Sequence, residues 1–272
     1  MNTLTLKIIA MVLMLLDHIG FIYGNVILRA VGRLSFPIFA FLIANGFRHT
    51  KSVPKYALRL FAFALISEVP FDLFTVNKIT LAGWHGLLPE LKLDNVFFTL
   101  LIGLCFLWLR DTYKKRGFKY AKLLSVVTFV VLAAFAGFLS ADYGTVGVAW
   151  VAMFGIFDTA DKKNIVPACV GSLVLASWNI ITHLIAAFAY SFTQVNLGKI
   201  PGIAFFIHGG DLSDINLLQP LAALSLILIV CYNQKSGMPS SHAAKRALQY
   251  AFYAFYPLHL LLLYFIVYYI VL

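Results

Sequence analysis

The chain has 272 residues, of which 61% are hydrophobic and 12% charged; its mean hydropathy is +0.89 and its formal charge +10 at pH 7. A soluble domain carries about 25% charged and about 45–50% apolar residues, so a soluble enzyme or carrier is excluded and the bilayer is the solvent. The basic residues fall into four separate interhelical segments rather than one tract, which argues against nucleic acid as a partner.

In chain order the apolar runs predict nine spans: 4–23, 30–47, 56–76, 95–110, 120–139, 144–160, 165–190, 217–232 and 247–271. Each is near the ~20 residues that carry a helix across ~30 Å of hydrocarbon at 1.5 Å per residue. The first run ends at Asp17-His18-Ile19-Gly20 without a small-residue cleavage site, and reads as a retained span rather than a signal peptide. Segment 196–212 is apolar but broken by Gly and Pro, as in a re-entrant or interfacial element; were it to cross, the spans would number ten. The expectation is an all-α, polytopic transmembrane helix bundle forming one membrane-embedded domain, 1–272. Its basic loops, Arg48 to Arg59, Arg110 to Lys122, Lys162-Lys163 and Lys235 to Arg246, lie in the cytoplasm with the N-terminus.

Ionisable groups at membrane depth are costly and face the bundle interior. In the first span, Lys7 and His18 are eleven residues apart, about three full turns, so they share one face about 16 Å apart. A cation near the mouth and an imidazole deeper suit a phosphate-bearing cytosolic donor that reaches inward, because the histidine pKa is suited to general-base work. A snorkelling Lys7 and an interfacial His18 fit the same positions. Asp17 lies beside His18 in sequence but points about 100° away.

Arg33 opens the next span, where Pro37 removes a backbone hydrogen bond and can kink the helix. The guanidinium suits pairing with Asp17 or Asp72, an anionic substrate, or simple anchoring. Glu68 and Asp72, four apart, share a face of the third span and need cations or protons; Arg33 is the natural partner. Asp142-Tyr143-Gly144 reads as a turn, and His259 interrupts an otherwise apolar last span. Cys105, Cys169 and Cys231 are too scattered for a disulfide framework or zinc cluster. Pro239-Ser240-Ser241-His242 resembles one element of the type 2 phosphatidic acid phosphatases, but that family's other elements are missing.

Several longer stretches, in order, resemble the TraX family: Leu6 to Met11 with Asp17 to Gly20, Gly32 to Leu42, Gly46 to Thr50, Leu58 to Leu60 with Ile66 to Asp72, Asn95 to Leu100, Ala141 to Gly144, and Phe255 to Leu260. The likeness spans the chain and is weakest over 160–240. It implies a bacterial inner-membrane acetyltransferase, as the family's name member is implicated in acetylating the N-terminus of conjugative pilin from acetyl-CoA. The Lys7–His18 spacing is also similar to the first-helix pattern of the acyltransferase-3 membrane enzymes, whose histidine is held to be catalytic.

On that resemblance His18, Asp17, Glu68 and His259 are the candidate catalytic residues. Lys7, Arg48, Lys55 and Arg59 are candidates for the acetyl-CoA phosphates. Arg33, Asp72, Asn95, Asp142 and Tyr143 are candidates for an acceptor that is membrane-associated or extracytoplasmic: a pilin N-terminus, surface glycan, peptide or lipid. No metal is expected. The same buried charges also suit a secondary transporter or channel for a small anion or lipid, or a noncatalytic assembly factor.

Overall fold

A computed structural model describes residues 1–79, 93–193 and 217–267, and every regular element among them is helical. The helices are α1 (Thr3–Tyr23), α2 (Val26–Gly32), α3 (Ser35–His49), α4 (Val53–Ile79), α5 (Val96–Lys115), α6 (Ala121–Phe138), α7 (Gly144–Ile156), α8 (Ile165–Ala176), α9 (Trp178–Thr193), α10 (Ser225–Val230) and α11 (His242–Ile266). Segment 196–212, read above as re-entrant, lies outside the described residues.

Five stretches among the described residues are long and apolar enough to cross a bilayer: α1, Val26–His49, α5, α6 and α11. The α8–α9 pair makes a sixth if its 57° bend is part of one crossing. That bend divides the expected span 165–190. The expected span 217–232 is a 3-10 turn, Gln219–Leu224, followed by the six residues of α10. The expected span 30–47 begins earlier, within the single stretch Val26–His49, and a turn at Arg33 and Leu34 separates α2 from α3 inside it. Pro37 therefore falls in the first turn of α3, where its missing N–H has no intrahelical partner to lose, so it starts a helix rather than kinking one.

Helix α7 lies at the centre. It is apolar all round, and Val148, Trp150, Val151 and Phe154 are fully enclosed by its neighbours, as expected for a helix buried on every side. By contrast α6 turns Leu123, Val126, Val130, Val131, Phe135 and Phe138 outward. A soluble monomer rarely exposes an apolar face of that extent; with lipid as solvent it carries no penalty. The protein is a helical membrane protein.

Two local devices fix the end of the bundle that matters below. Helix α1 stops at Gly24, whose φ of 63° closes a left-handed cap with its N–H on the Gly20 carbonyl. Asn25 then caps α2 by accepting from the Ile27 and Leu28 amides. The chain doubles back so tightly that a Cβ on Gly32 would sit 2.3 Å from the Asp17 Cβ. Glycine at 32 is what lets α2 reach the Asp17 carboxylate.

At the other end, the Met1 ammonium donates to the Cys231 carbonyl at 2.6 Å, and the Thr3 amide to that of Lys235 at 2.8 Å. The start of α1 is thereby tied to the segment leading into α11.

Candidate functional site

His18 leaves α1 toward α11, and its Nδ1 lies 2.7 Å from Nε2 of His259. The two imidazoles meet edge to edge, with centroids 4.9 Å apart and planes 22° from parallel. Phe74 of α4 meets the edge of His18 at 5.2 Å, and Phe255 stacks on His259 at 4.8 Å. The pair thus joins residues 241 positions apart in an aromatic enclosure.

Lys7, three turns back on the same helix, also faces α11. Its ammonium sits 5.0 Å from the centroid of the Phe252 ring, a cation–π contact. It lines a cavity of about 470 Å³ enclosed by α1, α3, α4, α5 and α11. Arg59 and Lys245 line the same cavity, with Tyr56, Tyr253 and Gln249, and no Asp or Glu is among the described lining residues. Arg59 lies 5.7 Å from the Tyr56 ring centroid. The inner wall includes Met14, one turn before His18, and Phe255, one turn before His259.

Asp17 takes no part in the imidazole pair. Its carboxylate accepts from Arg29 at 2.5 Å and from Arg33 at 2.9 and 3.1 Å. Arg29 and Arg33 are four apart and bracket one acid, so the Asp17 found here is an ion-pair anchor between α1 and α2, not a group acting on His18. The expected Arg33–Asp17 pair is present. Glu68, however, is held by amides: it accepts from the Asp94 backbone N–H at 3.2 Å and the Asn95 side chain at 2.5 Å. The reason is reach, since Arg33 is drawn to Asp17 by the turn at Gly24.

Asn95, expected to bind substrate, is fully enclosed. Its amide nitrogen donates to the Ala64 carbonyl and to Glu68, and its oxygen caps α5 at the Phe97 amide. It fastens α4 to α5 and reaches neither cavity described here. Glu68, Asp72 and Asp94 each bring a carboxylate oxygen within 4.8 Å of the others, a grouping that could hold a cation.

A second cavity, of about 450 Å³, lies at the end of the bundle opposite Met1. Arg33, Ser140, Asp142, Tyr143, Trp178, Asn179 and Gln219 are among its walls. The turn between α6 and α7 is pinned there by the Asp142 amide on the Asp94 carbonyl at 2.5 Å and by the Thr99 hydroxyl, which donates to the Asp142 carbonyl. Tyr143 has a φ of 62°, a strained value for a bulky residue, and its ring stacks on Phe36 at 3.8 Å. Burial pushes the Asp142 carboxyl up to about 6, against the opposing pull of Arg33.

Two of the four residues expected at a donor's phosphates are elsewhere. Arg48 donates to the Phe154 carbonyl and pairs with Asp158 at 3.6 Å, fastening α3 to the end of α7. Lys55 is exposed and lines no cavity described here. Lys245 and Arg29 were missed. Arg29 carried a usable signal, its spacing of four from Arg33, which a second helix beginning at 30 rather than 26 concealed.

The arrangement defines a polytopic helical membrane protein with a paired-histidine centre between two end cavities. The chain matches the family described as TraX protein over residues 3–267 and belongs to that family. It is also 28% identical over 269 residues to the probable fimbrial assembly protein FimC, serogroup H1, of Dichelobacter nodosus, covering 95% of this chain and 92% of that protein. No solved structure matches it.

Proposed function

We propose that this chain is an acetyl-CoA-dependent membrane acetyltransferase that modifies a pilus-related or other membrane or extracytoplasmic acceptor. The observation that carries the reading is the cavity lined by Lys7, Arg59 and Lys245, whose inner wall ends one turn short of both His18 and His259. Three cations without a carboxylate favour a polyanionic ligand, and phosphates take charge-assisted bonds from Lys and Arg. The aromatic walls suit an uncharged arm that carries a thioester inward.

Nine crossings, with the N-terminus and the basic end in the cytoplasm, would set this cavity against the cytosolic donor pool. The second cavity, with Arg33, Asp142 and Tyr143, then faces the acceptor. In the transfer, the acceptor nitrogen or oxygen attacks the thioester carbonyl as His18 takes its proton. The C–S bond breaks, and the proton passes from His18 to the departing thiolate. An acetyl group carried briefly on His18 gives the same balance in two steps. The family match and the fimbrial assembly relative support a pilus-related acceptor, with a pilin N-terminus, a glycan, a peptide or a lipid headgroup as the classes to examine.

The test is CoA release by protein reconstituted with acetyl-CoA and a membrane extract containing acceptor. His18→Ala should lower turnover by about 10²–10⁴-fold, the usual range for removing a general base, while the variant still inserts and unfolds cooperatively. Undiminished turnover in that variant would end the proposal. The pair of cavities at opposite ends also suits a transporter with alternating access; substrate flux without CoA release would favour that reading.

A further inference from the structure

The histidine pair also carries information about which nitrogen reacts. His259 Nδ1 lies 2.8 Å from the Phe255 carbonyl oxygen one turn earlier in α11. A carbonyl only accepts, so His259 carries its proton on Nδ1. With the ring neutral, its Nε2 is then a lone pair, and the 2.7 Å contact with His18 requires the proton of that bond to belong to His18 Nδ1. One ring fixes the next, since the bond made by one imidazole nitrogen decides the state of the other.

His49 and His183 use their Nδ1 in the same way as His259. Each turns Nδ1 to its own i−4 carbonyl, at 2.8 Å to Asn45 and 2.8 Å to Asn179. His259 makes that same bond, and its far nitrogen meets His18. His18 does not bond back to α1 through Nδ1, which is held by another side chain.

We propose that the Phe255 carbonyl and His259 act as a neutral relay that locks His18 in the tautomer with Nδ1 protonated and Nε2 bare, so that Nε2 is the atom that takes the proton or acetyl group. His259 is on this account a positioning residue, in the place that a carboxylate holds beside the histidine of a hydrolase triad. A neutral acceptor suits an enclosure of Phe74 and Phe255 better than a carboxylate would, because an unpaired buried charge is costly there. The transfer role of Nε2 rests on the acetyltransferase reading; the tautomer itself does not.

Two measurements separate these. The first is nitrogen NMR of ¹⁵N-histidine-labelled protein in lipid nanodiscs, with His18→Gln and His259→Gln used to assign signals. The expected result is a protonated Nδ1 and an unprotonated Nε2 on both residues, and a His18 tautomer that becomes mixed in His259→Leu. A protonated Nε2 on His18 in the unaltered protein would overturn the relay, whether or not the protein transfers acetyl groups. The second is turnover. In His259→Gln the side-chain oxygen falls near the place of Nε2 and accepts from His18, so kcat should stay within about tenfold. In His259→Leu it should fall by a further 10- to 100-fold, the range seen when an orienting partner is lost, with the KM for acetyl-CoA unchanged. Equal losses in the two variants would show that His259 only fills space. Absence of transfer by the unaltered protein would remove the proposed function, while the NMR result would still decide the tautomer.

Discussion

The two ends of the bundle treat their cations differently. At the Met1 end, Lys7 and Arg59 rest on the faces of Phe252 and Tyr56, and the cavity they line has no described carboxylate. No described residue of that cavity answers their charge with a carboxylate. At the opposite end, Arg29 and Arg33 converge on Asp17 at 2.5 and 2.9 Å, and their charge is largely answered within the protein. On the proposed function the first arrangement is a binding surface, and the second is chiefly a clasp. A positive residue at membrane depth is therefore not evidence of a site until its partner is known.

If that contrast holds, the two ends should fail in different ways. The largest effect belongs to the clasp. Asp17→Asn leaves two guanidinium groups facing a neutral amide, and breaking a buried ion pair from one side costs about 3–5 kcal/mol. Denaturant or thermal unfolding in detergent should show that loss, and a cost under about 1 kcal/mol would mean the clasp is not what holds α2 to α1.

At the Met1 end the same kind of change should spare the fold and weaken binding. Lys7→Gln, Arg59→Gln and Lys245→Gln are each expected to raise the Kd for CoA about tenfold, near the 1.4 kcal/mol that one such step represents. Titration calorimetry measures it, with Lys55→Gln as the internal control at no change. An equal effect from Lys55→Gln would place the ligand elsewhere.

The smallest expected effect is one of pH. Burial raises Asp142 from 3.8 to about 6, so its ionised form is disfavoured in the folded state. The stability it contributes is present below about pH 4 and is lost as pH rises through about 6. Asp142→Asn should thus match the unaltered protein in Tm near pH 4 and gain a few degrees near pH 7. A constant difference across that range would show that the carboxyl is not perturbed.

How far the sequence could be read depended on the range of the interaction. Helical periodicity is local, so the shared face of Lys7 and His18 followed from their spacing, and both residues do turn toward α11. The starts of α1, α5 and α6 followed from apolar runs to within a residue. The pairing of charges did not follow, because one cation had more than one candidate acid. Arg33 was offered to both Asp17 and Asp72; the tight return through Gly24 and Gly32 selected Asp17. Asn95 looked like a polar group awaiting a ligand, yet Ala64, Glu68 and Phe97 use its hydrogen bonds. Arg48 looked like a phosphate ligand, and its partners at and just beyond the end of α7 are more than a hundred residues away in the chain.

Composition alone determined that this protein lives in a bilayer, since 61% hydrophobic residues cannot be covered by the polar ones that remain. The helical class and the importance of the first helix also came from sequence, through run lengths and spacing that depend only on near neighbours. The meeting of His18 with His259, the direction of the proton between them, and the difference between a free cation and a clasped one were decided by tertiary structure. They depend on which helices pack together, and a separation of 241 positions between the two histidines leaves no local trace of that choice.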